Sequence, residues 1–282
     1  MTARIPWQMV LISGILVSLG IGGCSKSSPS GNRASVGGPQ GDAISSFTLV
    51  GHTETGRKKW EIRGQSADIL AQTVHLSPVA ATAFGEIRVD LAAQHGQYQK
   101  GTQDVELEKD VVVTTTDGAR LTTDSFIWLA QREMGTTPAW VTVTRPGIKI
   151  VGRGGICFPK IKRVRLEREI TVTLQGEHGQ TVVTCDGPME VDYGRRKARF
   201  WRNVLVRDPK GEIRSDRMDV TLEPGKNEMQ KAIFWGHVRI NQEGRVAHAN
   251  RANYWQPLGR TSLVGHPKLV MVPDNDKLGL GE

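Results

Sequence analysis

The chain has 282 residues, a formal charge of +8 and an isoelectric point near 9.6, enough for one large domain or two small ones. The basic balance favours an anionic partner: a phosphorylated lipid, an acidic membrane or nucleic acid. Its three cysteines and seven histidines contain no C-x-x-C pair and no metal-ligand pair at helical spacing, which argues against redox and metal chemistry.

The first residues point to export. Arg4 is followed by an almost wholly apolar run from Met9 to Ile21. That run is shorter than the roughly 20 residues a membrane-spanning helix needs, and it suits the core of a signal peptide. Ile21-Gly22-Gly23-Cys24 resembles a bacterial lipobox. Residues 1–23 are therefore expected to be removed, Cys24 to carry the lipid, and the charge to fall from +8 to +7 with the loss of Arg4. Two or three acyl chains hold a protein stably at a membrane. Residues 24–45, rich in Ser, Gly and Pro, read as a flexible tether. An exported location argues against nucleic acid as the partner.

After residue 45 the apolar residues alternate with polar ones. Examples are Val141-Thr142-Val143, Ile170-Thr171-Val172-Thr173-Leu174, Met218-Asp219-Val220-Thr221-Leu222 and Val238-Arg239-Ile240. This is the period of strands with one face buried and one wet, with Gly and Pro between the runs. Hairpins recur: Val111 to Asp124 around Asp117-Gly118, Val204 to Asp216 around Lys210-Gly211, and Val238 to Asn250 around Glu243-Gly244. The fold class is all-β, an antiparallel stack of hairpins after a signal peptide and linker, with open strand edges at its ends. Roughly 22 short strands in two facing sheets would give a stack about 50 Å long. The apolar residues of inward parity are the candidates for contact with alkyl chains: Val111, Val113, Phe200, Val204, Val206, Val220, Phe234, Val238 and Ile240. In Phe200-Trp201 and Phe234-Trp235 the phenylalanines share parity with Ala198 and Ala232, so they are expected inward.

No catalytic constellation emerges. There is no P-loop and no G-x-S-x-G, and Gly152-x-Gly154-Gly155 lies among strands without a following helix. His237 and His248 fall on adjacent strands but are expected to be separate. Asp216 and Asp219, three apart in a strand, are expected on opposite faces. Cys157 and Cys185 are expected to pack as small apolar residues more than to bridge. The basic runs Arg195-Arg196-Lys197-x-Arg199 and Lys160-x-Lys162-Arg163-x-Arg165 suit lipid phosphates or a solvated surface. Neither a cofactor nor enzymatic activity is expected.

Phe47, Gly56, Trp60-Glu61-Ile62 and Ala67, then Leu107-Glu108-Lys109-Asp110-Val111, Asp117-Gly118, Thr123-Asp124, Val141-Thr142-Val143 and Gly152-x-Gly154 resemble the LptC family of lipopolysaccharide export. Gly187-Pro188-Met189, Tyr193, Ala198-x-Phe200, Asn203-Val204, Ser215-Asp216, Ala232, Gly236-x-Val238 and Ala252 are similar to the OstA-type domain of the LptA family. The resemblance implies an LptC-like β domain over 46–175 and an LptA/OstA-like β domain over 176–273; residues 274–282 are expected to be a disordered tail. It also implies a β-jellyroll with an open lateral slot for lipid A acyl chains. Its partners would be lipopolysaccharide, an inner-membrane ABC transporter, and LptA- or LptD-type jellyrolls joined by edge-strand addition. The place would be the periplasm, lipid-anchored, with the inner membrane favoured over the outer. The familiar LptC carries a transmembrane helix where this chain has its lipobox. The competing reading is a structural or adhesive envelope lipoprotein with a closed stack.

Overall fold

The computed structural model describes residues 42–52, 55–70, 72–85, 87–176, 179–224, 229–242 and 245–271. The expected signal peptide, Cys24 and the C-terminal tail lie outside them. The described residues are almost entirely antiparallel strand, eighteen in number, with two short 3-10 turns. They divide into two units: residues 42–140 with 156–162, and residues 141–155 with 163–271.

In the first unit β1 (Asp42–His52) pairs with β2 (Lys58–Leu70), and β2 with β3 (Thr73–Ala83). The two halves of β3 then part company. Val79 to Ala83 pair with β4 (Val89–Ala93), and Thr73 to Leu76 pair with β5 (His95–Gln99). Both short strands pair with β6 (Val105–Thr115), which pairs with β7 (Arg120–Leu129). The core here is Leu76, Val79, Ala93, Leu107 and Val111, with Ile62, Val74, Leu91, Val105 and Phe126 packed against it. Strands β8 (Met134–Arg145) and β9 (Ile148–Phe158) each contribute residues to both units.

The second unit repeats the device. β10 (Arg163–Gly176) pairs with β11 (Gly179–Cys185) through Ile170 to Gly176 and with β12 (Met189–Asp192) through Arg163 to Leu166. β13 (Lys197–Asp208) pairs with both of these short strands. A ladder follows through β14 (Gly211–Leu222), β15 (Met229–Gln242) and β16 (Arg245–Trp255). β16 ends the ladder by pairing with β17 (Arg260–Val264) at one end and β18 (Lys268–Met271) at the other.

The long strands bend near their middle through β-bulges, and there the sequence-based expectation needs correcting. Lys109-Asp110, Arg202-Asn203 and Gly236-His237 all have positive φ, at the register shifts of β6, β13 and β15. At each, two residues oppose one on the next strand, and the one extra residue lets the strand bend without losing its ladder on either side. Some of the expected short strands are therefore halves of single strands of up to 14 residues, and the described residues form eighteen strands against the roughly 22 expected from alternation. The bulges also reset parity. Ser215 and Met218 are both buried although three apart. Asp216 and Asp219 consequently do not lie on opposite faces: Asp216 is exposed beside His237, and Asp219 faces outward with Arg217 and Trp235. Once the bulges are counted, the hairpin repeat is regular. Ala198, Phe200, Trp201 and Val204 on β13 recur 34 residues later as Ala232, Phe234, Trp235 and Val238 on β15.

Candidate functional site

Phe200 and Phe234 are buried, whereas Trp235 is exposed and Trp201 only half-buried, as parity required. The outward tryptophans stack with cations of the neighbouring strands. Arg217 lies 5.8 Å from the Trp201 ring centre and Arg251 5.1 Å from that of Trp235. Asp219 accepts from Arg217 and from the Trp235 indole N–H.

The inner face divides into two rows that differ in openness. On one side of the bend, Met189, Phe200, Met218, Phe234 and Ala252 stand opposite one another across five strands. Each is at most 3% exposed. On the other side the row runs Val183, Val206, Ile213, Ile240, Ala247 and Leu269. Val183 and Val206 are buried, Ile213, Ile240 and Ala247 are half-buried, and Leu269 is 60% exposed. The second row thus opens progressively toward the last strand. The first unit has a comparable row: Ile62, Ala81, Leu91, Val113 and Leu121 are aligned across β2, β3, β4, β6 and β7, and all five are half-buried.

Seven of the nine expected lipid-contact residues, namely Val111, Phe200, Val204, Val206, Val220, Phe234 and Val238, are packed in the core. Val113 and Ile240 fall on the open rows at half-buried positions, and Val206 stands at the buried end of one of them. The other half-buried residues of those rows were not singled out from sequence, because each belongs to a different strand and only the register assembles them.

Two carboxylates are held low by paired cations. Hydrogen bonding from Lys58, with Arg63 also beside it, holds the Glu61 carboxyl below its ordinary range. Arg214, and next to it Arg207, do the same for Glu212. Both cysteines are free. Burial pushes the Cys185 thiol up to about 11 and raises that of Cys157 as well, so both stay protonated and weakly nucleophilic near neutral pH. Among the described residues no three His, Cys, Asp or Glu side chains converge to hold a metal ion. His237 bonds Asp216 at 2.7 Å, and His248 stands opposite Arg239.

An all-antiparallel unit of bent strands with a half-open apolar inner row suits alkyl chains better than covalent chemistry. Comparison with known protein families bears directly on that. Residues 42–155 match the family of lipopolysaccharide-assembly, LptC-related proteins. That part of the chain is LptC-like, and the LptC family is one of lipopolysaccharide transport and not of enzymes. The LptC family is associated with the periplasmic side of the inner membrane. No curated protein matches the chain. Among the described residues no helix is long and apolar enough to cross a membrane.

Proposed function

We propose that this protein is an exported lipoprotein that conducts lipopolysaccharide across the periplasm. Lipid A acyl chains enter the half-open inner rows, and the phosphorylated sugar head stays outside. The observation that carries this reading is the pair of open rows, Ile62 to Leu121 in one unit and Ile213 to Leu269 in the other. Half-buried apolar side chains gain about 0.8 kcal/mol for each methylene that covers them, whereas a fully packed row has no room for a guest. Transport through such rows is passive, driven by an ATP-dependent extractor upstream.

A photoreactive residue at Ile240 or at Val113 is expected to crosslink lipopolysaccharide in cells, and one at the outward Thr221 is not. Crosslinks from Thr221 alone, or from none of the three, would favour a closed structural or adhesive lipoprotein.

On this reading Cys24 is the acylated anchor, placed at the inner membrane, and the residues between it and β1 are its tether, shorter than the expected 24–45 because Asp42 to Ser45 pair with β2. Membrane fractionation of Cys24→Ala should move the mature protein into the soluble periplasmic fraction. Retention in the membrane fraction at the wild-type level would remove the lipid anchor from the scheme.

The second unit is read as an LptA/OstA-like continuation of the LptC-like part, supported by the recurring bulged hairpins of β13 to β16. It would hand lipid to LptA- or LptD-type jellyrolls by strand addition. β18 supports this, since it is the last described strand and leaves Leu269 and Val270 60% and 52% exposed. Proline at Val270 removes a backbone donor and is tolerated at a sheet edge. Val270→Pro is expected to weaken capture of the next jellyroll at least tenfold in a pull-down while thermal unfolding stays within a few degrees. Unchanged capture would exclude β18 as the docking edge.

A further inference from the structure

The outer face of the second unit carries a row of basic residues that lipid conduction does not use. Arg214 on β14 stands opposite Arg239 on β15, Arg239 opposite His248 on β16, and His248 opposite Lys268 on β18. All four are exposed. With strands about 4.8 Å apart, the row extends about 14 Å across the sheet. Like charges directly opposed on neighbouring strands destabilise a sheet, and Arg214 opposite Arg239 is such a pair.

Little inside the unit offsets it. Glu212 reaches Arg214 at 3.0 Å, but it is shared with Arg207 at 3.4 Å. Arg239, His248 and Lys268 form no ion pair with another described residue. The contiguous basic runs behave differently. Arg163 lies within 4 Å of Glu190 and Asp192, Arg199 of Glu190, Arg195 of Asp192 and Arg165 of Glu167.

The row's geometry indicates its counterpart. The cations are strung along a line and not gathered around a point, so a single small anion meets only one or two of them, whereas an array of phosphates meets all. On the same face Val246 and Val270 stand opposite each other beside His248 and Lys268, and Val270 is 52% exposed. Basic residues beside the exposed Val270 and the half-buried Val246 match the boundary between headgroups and acyl chains of an anionic bilayer. A hydrated phosphorylated sugar offers no partner for the valines.

We propose that this face docks the second unit onto an anionic phospholipid bilayer, with Arg239, His248 and Lys268 meeting headgroup phosphates and Val246 and Val270 resting at the acyl boundary. The contact is independent of what the inner rows carry.

The test uses the full-length protein in phosphatidylcholine vesicles with or without about a third phosphatidylglycerol. The acetylation rate of Lys268 is read by mass spectrometry, with Lys197, at the far end of β13, as reference. Phosphatidylglycerol is expected to slow Lys268 about fivefold or more relative to Lys197, since each cation near such a surface contributes about that factor. Salt at ~1 M, where the screening length is about 3 Å, should abolish the effect. Arg239→Gln with His248→Gln should lose it too, with thermal unfolding not lowered, because both residues are exposed and the exchange removes the Arg214–Arg239 repulsion. The proposal fails if phosphatidylglycerol leaves Lys268 unaffected or slows Lys197 equally. It also fails if inorganic phosphate over neutral vesicles has the same effect, which would mean a simple anion site. Protection by purified lipopolysaccharide but not by phosphatidylglycerol would replace the bilayer with the transported sugar.

Discussion

Phe234→Ala is expected to cost the second unit about 3–5 kcal/mol, and Phe200→Ala about the same. Each ring is almost wholly buried and they flank Met218, itself inaccessible to solvent. Removing either leaves a hole in a row closed on both sides, where neighbours cannot relax inward without breaking strand register. The double variant should depart from additivity, because Met218 can lean into only one cavity at a time. Ile240→Ala is a useful contrast. Its side chain is half-buried on the open row, so the loss should be about 1–2 kcal/mol. Urea unfolding followed by tryptophan fluorescence measures all four. Equal losses at Phe234 and Ile240 would show that the two inner rows are packed alike, and the distinction on which the lipid-binding assignment rests would disappear.

The alternation of apolar and polar residues made the strands legible because it is a local property. The same parity placed Phe200 and Phe234 inward and their tryptophan neighbours outward. It failed at the bulges. Lys109-Asp110 and Arg202-Asn203 are ordinary polar pairs in the sequence, with no glycine to mark their positive φ. Nothing local distinguishes them from strand residues, and the parity slip at Ser215-Asp216 was missed for the same reason.

The candidate site was legible only in part, because openness belongs to rows and rows are made by register. Val206 and Ile240 look alike in sequence, yet one is buried and the other is not. What differs is their distance from the last strand, where the inner face runs out of neighbours. The outer cations show the same limit. Basic residues contiguous in the sequence drew notice, but Glu190, Asp192 and Glu167 lie against several of them. Arg214, Arg239, His248 and Lys268 are scattered along the chain and become a row only when β14, β15, β16 and β18 align.

Gly187→Ala is expected to cost about 2–4 kcal/mol, chiefly by forcing the bend of the second unit apart. Gly187 lies between β11 and β12 with φ at +97°, in the region that favours glycine. A methyl group there would collide with the Glu167 carbonyl oxygen and come within 2.8 Å of Arg168 Cα. Both are backbone atoms of β10, so neither can turn aside as a side chain would. The site also joins three strands. The Gly187 N–H donates to the Trp201 carbonyl at 3.2 Å, its own carbonyl accepts from Arg202 Nε, and the Glu169 N–H donates to the adjacent Asp186 carbonyl at 3.2 Å. Moving β10 to admit the methyl group would pull on all three bonds at the point where β13 bends. Gly56 is the control for backbone conformation alone. Its φ is +78°, yet nothing lies within 4 Å of the place a methyl group would occupy. Gly56→Ala should therefore lose only about 1 kcal/mol. Chemical denaturation of both variants separates the two costs. Equal, small losses would mean that β10 yields readily at the bend, and that this glycine's close approach is not what holds the strands together there.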